Sequence, residues 1–349
     1  MTSADRKYIR LWYWSGALLV FIILVIGGIT RLTQSGLSMV EWRPIMGIIP
    51  PLTEEAWQKV FDQYRQFPEY QQLNRGMELS EFKFIFFWEY LHRMAGRLIG
   101  LVFLIPFTWF VVKRKFSSRQ LVRALTLLAL GLGQALMGWY MVQSGLIDQP
   151  YVSPYRLAAH LVLAFIIFGC CIWFALDLYP ERRGIRMKHS PYLKRILAVF
   201  IGILILQVIW GAFVAGHHAG HVYNTFPKMN QFWIPPETWM LEPLIRNFFE
   251  NVAAVQWIHR VLGTLLGVMG IYIWAKAFFS EPSRRLTWWG VVLLAVLLLQ
   301  YLLGVYTLLY HVPLVLAVLH QAMALVLFGV ALALYHTLRK GELSASLRP

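Results

Sequence analysis

Eight long apolar runs dominate this sequence of 349 residues. A helix needs about 20 mostly apolar residues to cross the hydrocarbon core of a membrane. Hydrophobic residues make up 58% of the chain and charged residues 14%, a balance that would leave a soluble domain with large exposed apolar patches. The sequence therefore predicts an all-α integral membrane protein, with spans at roughly 11–30, 84–111, 121–142, 157–178, 194–215, 252–278, 287–308 and 313–337.

The net charge of +15 is compatible with binding to nucleic acid, but the position of the basic residues favours a membrane topology signal. Lys and Arg cluster before the first span, after the last, and in the second, fourth and sixth connections. Basic residues in alternate loops mark the cytoplasmic side. We therefore predict cytoplasmic termini, long outer loops at about 31–83 and 216–251, and no nucleic acid partner. The N-terminal segment lacks transit-peptide features, which indicates a bacterial inner (plasma) membrane.

An internal repeat relates the two halves of the chain. The segment Tyr90-Leu-His-Arg-Met-Ala-Gly96 aligns with Trp257-Ile-His-Arg-Val-Leu-Gly263. Further matches pair Gln134-x-x-x-Gly138 with Gln300-x-x-x-Gly304, and Gly28 with Gly211. Each copy has four spans, an even number, so both copies have the same orientation. We predict two tandem four-helix bundles, an N-terminal half at 1–180 and a C-terminal half at 181–349.

Each predicted half contains two histidines near the outer ends of its spans. His92 and His160 lie in the first half, and His259 and His320 in the second. A single histidine in a membrane helix is explained equally well as an interhelical hydrogen bonder. Two matched pairs instead favour two metal centres, in each of which neutral imidazoles from facing helices bind haem iron axially.

Small and cationic residues beside these histidines fit a haem site. Glycines one and two turns beyond the leading histidine of each half leave space for a macrocycle, at Gly96, Gly100, Gly263 and Gly267. Guanidinium groups pair well with propionates. We predict this role for Arg31, Arg93, Arg97 and Arg260.

The repeat is broken one turn before the leading histidine, where Glu89 in the first half corresponds to Gln256 in the second. A carboxylate beside an iron-bound substrate accepts protons, whereas an amide does not at neutral pH. We therefore predict that Glu89 is catalytic and that the second half transfers electrons. An ion pair with Arg93 at i+4 is an alternative role for Glu89, and the two roles are compatible.

The loop sequences resemble those of the haem A synthase family, Cox15/CtaA, over nearly the whole chain. The resemblance is carried by Gly36-Leu-Ser-Met-Val-Glu-Trp-Arg-Pro44, Gln66-Phe-Pro-Glu-Tyr70 and Glu89-Tyr-Leu-His-Arg-Met-Ala-Gly-Arg97, and by Asn224-Thr-Phe-Pro-Lys-Met229, Trp233-Ile-Pro235 and Asn247-Phe-Phe-Glu-Asn251. The strings are similar to the alphaproteobacterial and mitochondrial type. The outer-loop cysteine pair of the Gram-positive branch is missing, so thiol chemistry proposed there does not apply.

The resemblance implies that the chain oxidises a ring methyl of haem O to the formyl group of haem A by successive hydroxylations. It implies that His92 and His160 hold the substrate haem, that His259 and His320 hold a haem b cofactor, and that Glu89 assists the reaction. Water attack on an oxidised methyl carbon suits iron with two histidine ligands, whereas oxygen activation requires one ligand to leave. Implied partners are haem O synthase (a protohaem farnesyltransferase), cytochrome oxidase assembly factors, an electron acceptor, membrane lipid and a second copy of the chain.

Three alternatives stay open at this point. The same four histidines would serve a di-haem electron-transfer subunit or a haem transporter. The run His217-His-Ala-Gly-His221, together with Glu89-x-x-His92, resembles parts of di-iron motifs, but both patterns are incomplete. Finally, the helical spacing of Glu54–Phe61, which puts Trp57 and Phe61 on one face, predicts either an amphipathic lid over the first haem site or a loop helix packed only for stability.

Overall fold

The computed structural model describes residues 1–41, 46–147, 150–180, 191–279 and 284–346, with the backbone alone at 46 and 340–346. Trp42, Arg43 and Pro44 of the first loop, and the predicted basic connection at 181–190, lie outside these ranges. The described residues form no β-strand, and an isolated bridge joins Met229 to Phe232. The all-α prediction is confirmed.

Within the described residues, eight helices are long and apolar enough to cross a membrane, and they match the eight predicted spans. They are α1 (Ser3–Leu32), α4 (Leu79–Val112), α5 (Ser118–Gln143), α6 (Pro154–Asp177), α7 (Pro191–Gly216), α9 (Val252–Phe279), α10 (Arg284–Leu309) and α11 (Leu314–Ser346). Between α1 and α4 lie α2 (Glu54–Tyr64) and α3 (Pro68–Gln72), and α8 (Asn247–Glu250) precedes α9. The protein is therefore a multi-pass membrane protein.

Several helices begin earlier than the apolar runs predicted, because polar caps extend them beyond the apolar segment. At the start of α1, the Asp5 amide donates to Thr2 Oγ1 (3.1 Å), and the Thr2 amide donates to Asp5 Oδ2 (2.9 Å). At the start of α4, Glu78 and Glu81 form the same reciprocal pair of contacts. Such capping satisfies amides that have no partner within the helix. Hydropathy alone marks the apolar segment and misses these polar ends.

The helices divide into two compact units, residues 18–164 and residues 1–17 with 165–349. In the larger unit α7 packs on α9, α9 on α10, α10 on α11 and α11 on α7, which closes a four-helix bundle. In the smaller unit α4 packs on α5 and α2, and the Thr30 hydroxyl of α1 donates to the Trp88 carbonyl of α4 (3.2 Å). The tandem arrangement of halves at 1–180 and 181–349 stays a prediction.

Candidate functional site

The four predicted histidine ligands lie on α4, α6, α9 and α11, and each imidazole faces a glycine of another helix. A methyl group added at that glycine would stand 2.7 to 3.2 Å from Cε1 of the ring, closer than carbon atoms pack. The pairs are Gly27 with His92 (3.2 Å), Gly138 with His160 (3.2 Å), Gly211 with His259 (3.1 Å) and Gly304 with His320 (2.7 Å). The missing side chains leave the space that each ring occupies.

The contact at Gly27 corrects one alignment made from the sequence. We matched Gly28 with Gly211, but Gly27 is the residue that faces His92 as Gly211 faces His259. An apolar run has no landmark that fixes the helix register to one residue, so the match was wrong by one position. In the corrected register the four glycines occupy equivalent places.

In the larger unit the two histidines are separated by a distance suited to one metal ion. The ring centres of His259 and His320 are 6.4 Å apart, with their planes at 80°. Two imidazole nitrogens, each about 2 Å from one metal ion, place the ring centres roughly 6 Å apart. In the smaller unit His92 lies on α4 and His160 on α6. The second pair therefore fits a bis-histidine haem.

Three of the histidines have a glutamine beside the ring. Gln134 Nε2 lies 3.3 Å from His160 Nε2, and Gln207 Nε2 lies 3.2 Å from His259 Nε2. His320 Nδ1 lies 3.1 Å from the backbone carbonyl oxygen of Gln300. The Gln300 carbonyl accepts from His320 Nδ1, which fixes this ring and leaves its Nε2 for a metal. The amide nitrogens of Gln134 and Gln207 can only donate to the ring nitrogens that they face.

Buried polar atoms without a partner concentrate at the same places. Among the described residues these side-chain atoms are Gln134 Oε1, His160 Nδ1, Gln207 Oε1, His259 Nδ1, Arg260 Nε and Gln300 Oε1. Such atoms are rare in folded proteins, because each costs free energy when it is left without a hydrogen bond. All six belong to the predicted histidine ligands or to residues beside them. The residues present therefore fit a bound group, such as haem, that would give these atoms partners.

Glu89 is almost fully buried, with 3% of its surface exposed, and its carboxylate is held from three sides. Oε2 accepts hydrogen bonds from the Ser38 hydroxyl (2.7 Å) and the Met39 amide (2.6 Å). Oε1 accepts one from Arg93 Nη2 (2.5 Å), so the ion pair predicted at i+4 is confirmed. These three contacts fix the position of the carboxylate.

Gln256 donates hydrogen bonds to the second outer loop, whereas Glu89 accepts them from the first. Its side-chain amide donates to the carbonyls of Ala219 (3.0 Å) and Tyr223 (3.2 Å). The loop after α1 presents donors to Glu89, whereas the loop after α7 presents acceptors to Gln256. Each side chain therefore suits the backbone that it contacts, and the difference between the halves has a structural cause in addition to any catalytic one.

The arginines next to the leading histidines bind the same loops. Arg93 donates to the carbonyls of Met39 (2.6 Å) and Glu41 (3.0 Å). Arg260 donates to the carbonyls of Tyr223 (2.9 Å) and Thr225 (2.8 Å). These contacts stabilise the loops.

The other two predicted arginines, Arg31 and Arg97, also belong to the smaller unit. Arg31 lies in the last turn of α1, and Arg97 lies one turn beyond Arg93, with Nη1 3.5 Å from Met94 Sδ. The propionate role stays a prediction for Arg31, Arg93, Arg97 and Arg260.

The chain matches the family model described as cytochrome oxidase assembly protein, COX15-CtaA, over residues 10–332. The chain belongs to the COX15-CtaA family. A heme A synthase of Nitrosomonas eutropha is 48% identical over 95% of this chain and 93% of its own length. One of Nitrosospira multiformis is 45% identical over 97% and 95%, and heme A synthase COX15 of Arabidopsis thaliana is 42% identical over 96% and 75%.

Within this COX15-CtaA chain, the histidine run after α7 contributes to packing of the second outer loop. His217 Nε2 lies 2.7 Å from the Phe249 carbonyl oxygen, and a side chain at Gly220 would stand 2.9 Å from Val312 Cγ2. Among the described residues, no group of three or more His, Cys, Asp or Glu side chains is placed to hold a metal ion. The di-iron alternative therefore has no support from these residues.

The predicted lid helix is present as α2, and it packs through the residues that the sequence indicated. Trp57 makes an edge contact with Phe86 of α4, with ring centres 5.0 Å apart, and Phe61 stacks on Phe82 at 4.8 Å. These contacts stabilise the outer loop. Whether α2 also covers a bound haem stays a prediction.

Glu69 of α3 is a buried carboxyl group in contact with α2, and the sequence did not indicate it. Glu69 is 3% exposed, and the Tyr64 hydroxyl donates to its Oε2 (3.0 Å). Asn74 Nδ2 donates in turn to the Tyr64 hydroxyl oxygen (2.7 Å). Burial raises the pKa of Glu69 to about 8, and the charge of Glu89 raises it further.

This raised pKa makes the packing of α2 and α3 sensitive to pH. The folded loop binds the Glu69 proton more tightly than the unfolded loop, so the stabilisation is complete below pH 4.5 and is lost as the pH rises through about 8. We expect the protection of amides 54–72 from hydrogen exchange, relative to their intrinsic exchange rates, to fall between pH 6 and 9. Glu69→Gln should remove this dependence, while Glu55→Gln, an exposed control on α2, should keep it. Equal pH dependence in all three proteins would contradict the assignment.

Two contacts at the site were not predicted from the sequence, that of Ser38 with Glu89 and that of Gln207 with His259. Ser38 lies within one of the strings that carry the family resemblance, but nothing in the sequence connected it with Glu89. Gln207 precedes Gly211 by four residues, as Gln134 precedes Gly138, and this shared spacing was the signal that was available. Three copies of Gln-x-x-x-Gly identify the helix face beside a histidine.

Proposed function

We propose that this chain is a haem A synthase, which oxidises a ring methyl group of haem O to the formyl group of haem A. The observation that carries the proposal is the buried carboxylate of Glu89, one turn before His92. The second half has the amide of Gln256 at the same place before His259. Membership of the COX15-CtaA family and the heme A synthases among the relatives support it. A di-haem electron carrier gives Glu89 no role in chemistry.

In this proposal His92 and His160 bind the substrate haem, and His259 and His320 bind a resident haem b. The resident haem supplies one-electron transfer when it is bound. The Gln300 carbonyl orients His320, one of the two imidazoles that would hold it. Gly211 and Gly304 give those rings the space that they need.

Glu89 would accept the protons that the oxidation releases. With water as the oxygen source, a methyl group and one water molecule give a formyl group, four protons and four electrons. Ser38, Met39 and Arg93 fix the position of the carboxylate that would accept a proton. Arg93 then also provides a positive charge that favours release of the proton to the outer side.

The topology and partners follow from the same proposal. In this proposal both termini lie in the cytoplasm and the histidine sites face the periplasmic side of a bacterial inner membrane, because basic residues in alternate connections favour the cytoplasmic side. A farnesyltransferase that makes haem O must supply the substrate, and assembly factors of the oxidase would receive the product. An electron acceptor must re-oxidise haem b. Association with a second copy of the chain would be seen in the mass of the protein in detergent.

Extraction of haem from the purified protein tests the proposal. Cells that make haem O and express the chain should yield haem B together with haem O or haem A. Purified protein given haem O, water and an artificial electron acceptor without oxygen should then form haem A. Haem B alone at both sites would favour the electron carrier. Formation that requires oxygen would exclude water as the oxygen source.

A further inference from the structure

One position beside the histidine sites differs strongly in side-chain size between the two halves. The third long helix of each half carries Gln-x-x-x-Gly, in which Gly138 and Gly304 each face a histidine ring. These glycines fix the register between α5 and α10 to one residue. The residue after the glutamine is Ala135 in the first half and Tyr301 in the second. A tyrosine therefore occupies in α10 the place of an alanine in α5.

Tyr301 closes the seam between α9 and α10 at its loop end. Its hydroxyl lies 3.4 Å from Thr264 Oγ1 of α9. Its ring makes an edge contact with Phe226 of the second outer loop, with ring centres 6.1 Å apart. Arg260, which follows His259, donates to the carbonyls on both sides of Phe226. One tyrosine ring thus connects α10 with α9 and with the loop segment that Arg260 holds.

The corresponding seam of the first half, between α4 and α5, is more open. Ala135 is exposed and has no atom beyond its Cβ. Thr264 aligns with Arg97, whose Nη1 lies 3.5 Å from the sulfur of Met94 on its own helix. In addition, α4 packs less extensively on α5 than α9 does on α10. A group that enters the first seam here meets an alanine, where the second seam presents a tyrosine ring.

One turn further from the loops, the two seams are alike. Each has an exposed apolar residue on both helices, with 50 to 62% of its surface exposed. These residues are Leu101 and Leu132 in the first half, and Val268 and Leu298 at the same places in the second. Both seams can therefore contact an apolar chain, and the difference between Ala135 and Tyr301 decides which of them admits one.

We propose that the seam between α4 and α5 holds the farnesyl chain of haem O, and that Tyr301 excludes this chain from the second half. The inference rests on the proposed function, in which two similar sites hold haems that differ by this chain. Each haem offers iron to two histidines, so ligation alone does not separate them. A long apolar chain is stabilised by an apolar seam, whereas the ring of Tyr301 would have to leave its contacts with Thr264 and Phe226 to admit it. Ala135 and Tyr301 thus determine specificity.

The haem content of two exchanged variants tests this inference without measuring catalysis. Each protein is purified from cells that make haem O, incubated with excess haem O in detergent, freed of unbound haem and extracted for chromatography. Ala135→Tyr should lower the content of haem O and haem A about tenfold, because the added ring overpacks the seam, and should leave haem B unchanged. Tyr301→Ala should bind haem O in place of much of its haem B.

Two matched variants separate the seam from the helices that form it. Ala129→Tyr adds the same ring to an exposed alanine on another face of α5. Tyr301→Phe keeps the ring and removes only the hydroxyl. Both variants should keep the haem composition of the unchanged protein.

Unchanged haem O and haem A in Ala135→Tyr, or unchanged haem B in Tyr301→Ala, would overturn the inference and leave the proposed function intact. If one of these variants fails to fold, as judged by loss of both haems, the other decides. An unchanged protein that binds no farnesylated haem, even from excess haem O, would instead refute the proposed function and this inference with it.

Discussion

Replacing Glu89 with glutamine is expected to reduce haem A formation by at least about a hundredfold, because general acid or base catalysis commonly contributes that much. Glutamine has nearly the same shape but cannot accept a proton at neutral pH. Haem content should stay close to that of the unchanged protein, because Glu89 contacts Ser38, Met39 and Arg93 rather than a histidine. The measurements are the yield of haem A in cells and the pyridine haemochrome spectrum of the purified protein.

The contacts of Glu89 require a second variant, since glutamine also disturbs the loop that follows α1. Ser38→Ala removes one hydrogen bond to Oε2 and keeps the carboxylate. We expect this variant to loosen residues 33–40, seen as faster hydrogen exchange, and to retain most of its activity. If Ser38→Ala loses as much activity as Glu89→Gln, the carboxylate acts by holding the loop. A normal yield of haem A from Glu89→Gln would exclude the proton-accepting role altogether.

Adding one methyl group at Gly304 is expected to remove most of the haem B from the protein. The new Cβ would stand 2.7 Å from Cε1 of His320, the shortest of the four glycine distances. The ring cannot rotate away freely, because its Nδ1 is held 3.1 Å from the Gln300 carbonyl oxygen. Overpacking of this size and a displaced ligand together should weaken binding by roughly ten- to a hundredfold.

The haem B content of purified Gly304→Ala, measured against protein concentration, tests this expectation. Gly202→Ala is the matched control, because a methyl group on this exposed residue of α7 would meet no described atom within 4 Å. It should bind haem B normally. Full haem B occupancy of Gly304→Ala would show that the space beside His320 is not required for ligation.

The sequence predicted the membrane spans well because the hydrocarbon core imposes one length and one composition on every helix that crosses it. It also predicted that α2 packs through Trp57 and Phe61, since these residues share one helix face. It could not fix the register of α1 to one residue, and it could not predict the partners of Gln256. These depend on which backbone groups a loop presents, and loop conformation has no simple periodic signal.

The side-chain contacts of Glu89 and Gln256 have a consequence for how the two halves can diverge. One base change converts a glutamine codon into a glutamate codon, so the second half is always one point mutation from carrying a carboxylate there. In this backbone that carboxylate would face the carbonyl oxygens of Ala219 and Tyr223, with no donor for it from either. Arg260, which donates to Gln256 Oε1 (3.4 Å), would still face it. Two equal halves would therefore also require a second loop that presents donors, as Ser38 and Met39 do to Glu89.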